Sequence, residues 1–173
     1  MSMSCTASTS APVMRLADSP PETLPFLRRF FANLGLTLAL LPPQAEIPGS
    51  YWGAPEAGLT RHSLQVRPDT PLTSLLHEAC HYLCMDAARR ETLDTDAGGD
   101  VLEECAVCYL SVLIADLVPG YGRARMLRDM DAWGYSFRLG TAAEWFELDA
   151  EDARNWLVSR GWLPGAAGLR SVA

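Results

Sequence analysis

The sequence predicts an α+β fold: one mainly helical domain with a small sheet packed against a single helix that carries polar residues. Three observations predict it. Apolar residues recur at spacings of three and four over most of the chain. Two short runs upstream of residue 70 suit strands instead. The 173 residues, 49% of them apolar, supply one hydrophobic core and show no repeat at solenoid periods.

Residues 1 to 18 are small and polar with no apolar period, and are expected to be a disordered segment ahead of a domain spanning 19 to 163. Ser19 followed by Pro20, Pro21 and Glu22 opens a helix whose Phe26, Leu27, Phe30, Phe31 and Leu34 share a face until Gly35 stops it. Leu36 to Leu41 suits a strand closed by Pro42 and Pro43. A loop rich in proline and glycine follows, with Tyr51 and Trp52 in it, and Leu59 to Val66 alternates as a second strand. Asp69 or Thr70 can then cap a helix of about 15 to 20 residues, with Pro71 at its first position. After Arg90 the stretch ETLDTDAGGD marks a loop, and Asp100 caps a long apolar helix that ends at Pro119-Gly120. A further helix runs from Gly122 to Trp133, and Thr141 and Asp149 cap two short ones, the second ending at Gly161. The last residues, 164 to 173, read as a frayed tail.

The formal charge of −7 comes from 21 acidic against 14 basic residues, all of the latter arginine. Nucleic acid and anionic membranes are held first by dense positive charge, so neither is expected as a partner. There is no apolar run of signal-peptide or membrane-span length, and a cytoplasmic location is expected. Of the five cysteines, Cys80, Cys84, Cys105 and Cys108 fall inside helices at spacings unlike a disulfide framework, and read as small buried hydrophobes.

The chemistry concentrates in LLHEACHYLCMD, Leu75 to Asp86. On a helix, residues four apart lie about 40° apart around the axis, so His77 and His81 share a stripe that can hold one zinc ion. Glu78 is rotated by about 100°, out of reach of the metal but able to act on a water beside it. This is the His-Glu-x-x-His pattern of zinc peptidases. A third ligand is required. No histidine follows His81, which leaves the carboxylates Glu103 and Glu104 in the first turn of the next long helix.

With HEACH, Glu103 and Ala106, the chain resembles the gluzincin metallopeptidases, whose third ligand is a glutamate in a Glu-x-x-Ala or Glu-x-x-Ser pattern on a second helix. The strand, capped motif helix, loop and glutamate helix are similar to the small bacterial ImmA/IrrE-like metallopeptidases between residues 59 and 118. Val107 and Leu110 depart from that family's usual asparagine and alanine. The resemblance implies a zincin-like fold with Zn²⁺ on His77, His81 and Glu103, Glu78 as general base, and a protein or peptide substrate. Glu104 takes the place of Glu103 if the helix register differs.

Two other classes remain open: a zinc-binding regulatory or interaction domain without turnover, and a helical protein with a structural site built from Cys84, Cys105 and Cys108. Oxyanion donors are sought among His62, Tyr82, Tyr109, Tyr121 and Tyr135. The strand from His62 to Arg67 is expected to offer its edge to an extended peptide.

Overall fold

The computed structural model describes residues 12 to 165. Three strands, β1 (Thr37–Leu40), β2 (Gly58–Thr60) and β3 (Ser63–Val66), form one sheet in the order β1-β3-β2. Thr37 to Leu40 run parallel to Ser63 to Val66 in register, and β2 returns antiparallel with Thr60 opposite Ser63. The single strand expected over 59 to 66 is therefore a hairpin. Arg61 adopts a left-handed φ of +46°, which turns the chain at a point where alternation alone reads straight through. Leu38, Leu59, Leu64 and Val66 are buried, from all three strands.

Seven α-helices follow or flank the sheet among the described residues: α1 (Thr23–Ala32), α2 (Leu72–Cys84), α3 (Ala87–Thr92), α4 (Val101–Ala115), α5 (Arg123–Trp133), α6 (Ala142–Leu148) and α7 (Glu151–Ser159). The architecture is α+β with a small sheet, as the sequence predicts. Helix α2 is central: Leu72, Leu75, Leu76, Ala79 and Cys80 are fully buried, and it packs on β2, β3, α4 and α5. Helix α4 is apolar on nearly every side because it lies between α2, α5 and α7. No helix of the described residues is long and apolar enough to cross a membrane.

The motif helix is shorter than expected. It stops at Cys84, and Asp86 starts a separate helix by accepting the Arg89 N–H at 2.9 Å. At the other end neither Asp69 nor Thr70 caps α2. Asp69 is paired with Arg67, and Thr70 Oγ1 accepts the Arg67 N–H. The first N–H, of Leu72, donates instead to the carbonyl of Met14 at 2.9 Å, so the chain upstream does the work of a cap.

That upstream chain is ordered from residue 12, against the expectation for 1 to 18. Leu16 and Ala17 donate their N–H groups to Thr70 and Pro68, a 3-10 turn spans Leu16–Asp18, and Val13 and Leu16 are buried. Three apolar residues at 13, 14 and 16 are too few to show a period, which is why the sequence hides them. Residues 1 to 11 and 166 to 173, where the rest of the expected disorder and fraying falls, lie outside the described residues. Asp100 and Thr141 cap as expected, whereas Asp149 pairs with Arg138 and leaves Ala150 to begin α7.

Asp129 ties this segment to α5. Its buried carboxylate accepts from Met14 N at 3.0 Å, Tyr121 Oη at 3.0 Å and Arg125 Nε at 2.8 Å. An Asp129→Ala variant leaves those donors without an acceptor, and urea unfolding is expected to show a loss of about 3 kcal/mol. A loss below about 1 kcal/mol would mean that the segment is held by packing alone.

Candidate metal centre

His77 and His81 stand on α2 four residues apart, each 8% exposed, with ring centroids 4.7 Å apart. Their rotation is locked because the residues around them, Leu76, Ala79 and Cys80, are fully buried. The two Nε2 atoms are 3.1 Å apart. Glu104 completes the group: its carboxylate oxygens lie 3.0 Å from His77 Nε2 and 3.2 Å from His81 Nε2.

The structure thus brings Glu104 to the histidines and takes Glu103 elsewhere. Consecutive helical residues are about 100° apart, so only one of the two can face α2. Glu103 is drawn off by Arg89, whose Nη1 and Nη2 each meet a carboxylate oxygen at 2.9 Å. Arg89 Nη2 also donates to the Ala97 carbonyl at 2.6 Å. Gly99, at φ +105°, makes room, since a Cβ there would come within 2.9 Å of Glu103 Oε1. The Glu-x-x-Ala spacing that singles out Glu103 carries no information about Arg89, fourteen residues upstream.

The distances suit either hydrogen bonds from the imidazole N–H groups or a shared cation. An ionised carboxylate facing two imidazole lone pairs at these distances is repulsive unless a proton or a metal ion sits among them. The electrostatics show the same field acting on protons. Burial works against a charged His81, but the Glu104 carboxylate outweighs it and raises the His81 pKa. Burial likewise opposes ionisation of Glu104, and the hydrogen bonds from His77 and His81 overcome it and hold its carboxyl far below the usual range. Nδ1 of His81 is buried and has no partner among the described residues.

Glu78 lies on the wall of the cavity over this group, of about 500 Å³. Burial pushes its carboxyl up, with the two histidines opposing. Tyr135 lines the same cavity, edge-on to His77 with centroids 5.3 Å apart. It arrives there because Gly134, at φ +97°, ends α5 in a left-handed turn, and Tyr135 N donates back to Met130 O. Glu56 and Trp133, which the sequence reading passes over, are also on the wall, as are Tyr51 and Trp52 of the long loop.

Other candidates are placed away from the group. His62 is at the tip of the β2–β3 hairpin, bonded to Tyr82 Oη and Glu91, both at 2.8 Å. Tyr109 stacks on Phe146, and Tyr121 donates to Asp129. Strand β3 is paired on both sides, so the stretch from His62 to Arg67 has no free edge to offer.

No family model matches this chain, and neither curated proteins nor solved structures match it.

The four described cysteines are free thiols. His77, Glu78 and His81 bring ligand atoms within 4.8 Å of one another, as do His77, Glu104 and Cys108, whose Sγ lies 3.9 Å from His77 Nδ1, and either group could hold a metal. Burial pushes Cys108 and Cys80 well above the usual thiol range and Cys84 up to about 12, so all three are uncharged packing groups at neutral pH. Cys84 belongs to neither group.

Zinc titration of two variants separates the adjacent carboxylates. Glu104→Gln is expected to weaken zinc binding by more than about 100-fold while the melting temperature stays near wild type. Glu103→Gln is expected to retain zinc and to cost about 1 to 3 kcal/mol of stability through Arg89. Equal loss of zinc in both would overturn the assignment.

Proposed function

We propose that the protein is a zinc metallopeptidase of the gluzincin type, with His77, His81 and Glu104 as metal ligands and Glu78 as general base. The observation that carries this reading is the convergence of two Nε2 atoms and one carboxylate within 3.0 to 3.2 Å at the floor of an open cavity. Ligands at about 2.0 to 2.1 Å from a tetrahedral zinc ion stand about 3.3 Å from one another, close to the separations present. Two nitrogens and one oxygen are also the donor set of a catalytic zinc site, in which the fourth position is left open.

A zinc ion held there would polarise the scissile carbonyl and acidify a water at the open position. Glu78, next to His77 on the same wall, would take a proton from that water and deliver it to the leaving amine. Its burial suits the task, because raised proton affinity makes a carboxylate a better acceptor for the proton of a water. Of the four tyrosines considered as oxyanion donors, Tyr135 alone lines the cavity, edge-on to His77. Burial keeps it protonated, so it would act as a donor to the developing oxyanion.

A protein or peptide is the proposed substrate. The free thiols support a reducing compartment, and we place the protein in the cytoplasm with a restricted protein target. The reading of a metal-binding domain without turnover is favoured only by Cys108, which gives His77 a second, softer neighbour.

Purified protein is expected to contain one zinc per chain and to lose peptide hydrolysis on chelation, with recovery on adding zinc back. Glu78→Gln should keep the zinc and lower kcat by about 10²- to 10⁴-fold. Full activity in that variant would overturn the mechanism. Tyr135→Phe is expected to lower kcat by about 100-fold with KM little changed, and an effect on KM alone would move Tyr135 to substrate binding.

A further inference from the structure

The cavity over the histidines has acidic and aromatic walls. Glu56, Glu78, Asp96 and Glu104 line it, and no arginine does. Elsewhere the fold neutralises its buried carboxylates, pairing Glu103 with Arg89 and Asp129 with Arg125. Glu56 and Glu78 have no such partner.

Glu56 is fixed in place by one neutral donor, the indole N–H of Trp133. An ionised carboxylate offers about four acceptor positions, so its charge and most of its hydrogen-bonding capacity stay open to the cavity. Arg15 stacks on the Trp133 ring at 5.7 Å, yet donates to the Asp69 carbonyl and leaves Glu56 unpaired. At the mouth, Trp52 is 80% exposed and meets Tyr51 edge-on at 5.1 Å, which presents aromatic faces to whatever enters. Carboxylates and aromatic faces are the chemistry that selects an ammonium or guanidinium group.

We propose that Glu56 is a substrate-recognition residue that receives a cationic group of the peptide, with Tyr51 and Trp52 flanking its approach. This rests on the peptidase reading for its setting. The cation has two possible sources, a lysine or arginine side chain and a free N-terminal amine.

Binding tests the proposal without turnover. Three hexapeptides are titrated calorimetrically into the zinc-loaded Glu78→Gln protein: a fully blocked peptide with a central lysine, its norleucine analogue, and the norleucine peptide with a free N-terminus. At least one cationic peptide is expected to bind about tenfold tighter than the neutral one. The lysine peptide doing so identifies a side chain as the source, and the free amine identifies the terminus. Adding Glu56→Gln, which keeps an acceptor for Trp133, should erase the difference. Raising the salt concentration about tenfold should shrink it without any mutation at Glu56. Equal binding of all three peptides, or a preference that survives Glu56→Gln, overturns the proposal. If the preference is present and wild type cuts none of the peptides, the peptidase reading fails while Glu56 keeps its role.

Discussion

The candidate centre depends on the rotational phase of the glutamate helix, which its packing against α2, α5 and α7 fixes and the ion pair between Arg89 and Glu103 matches. Two carboxylates stand side by side at the start of α4, and a helix cannot point both at its neighbour. Arg89 takes the first in a bidentate grip at 2.9 Å, which leaves the second facing His77 and His81. The same guanidinium holds the Ala97 carbonyl, so the segment that forms one cavity wall is tied to the start of the same helix. Ligand placement and wall placement are thus one constraint, made possible where Gly99 lets Glu103 come close.

The opposite wall is organised by chain ends and turns. Helix α2 begins where Leu72 donates to Met14, and Met14 in turn donates to Asp129 on α5. Five residues on from Asp129, the left-handed turn at Gly134 swings Tyr135 toward His77, and Trp133 reaches Glu56. Residues 12 to 18, α2 and α5 therefore lock together, and the cavity lies against this frame. The loop with Tyr51 and Trp52 stands at its mouth, exposed.

Charge is distributed by the same logic. The two buried carboxylates, Glu103 and Asp129, have arginine partners, while the more open ones lining the cavity have imidazoles, an indole or nothing. Thiols are treated differently again: burial drives the pKa values of Cys80, Cys84 and Cys108 up, and at Cys84 it outweighs the opposing charge of Arg160, Arg89 and Arg90. They fill space between helices, with Cys108 alone close to a histidine nitrogen.

The sequence by itself determined what local spacing and capping can determine. Apolar periodicity located α1, α2, α4 and α5, Asp100 and Thr141 marked two helix starts, and His77, Glu78 and His81 were placed on one helix by their numbering alone. These depend on interactions within a few residues, which is the range over which a sequence pattern carries information. Only the tertiary structure shows that Glu104 faces the histidines while Glu103 turns to Arg89 on another helix. It likewise decided that Arg61 turns a strand into a hairpin, that His62 faces Tyr82 and Glu91, and that Met14 caps α2. Each of these is a contact between residues distant in the chain or a single backbone angle, and neither leaves a period in the sequence.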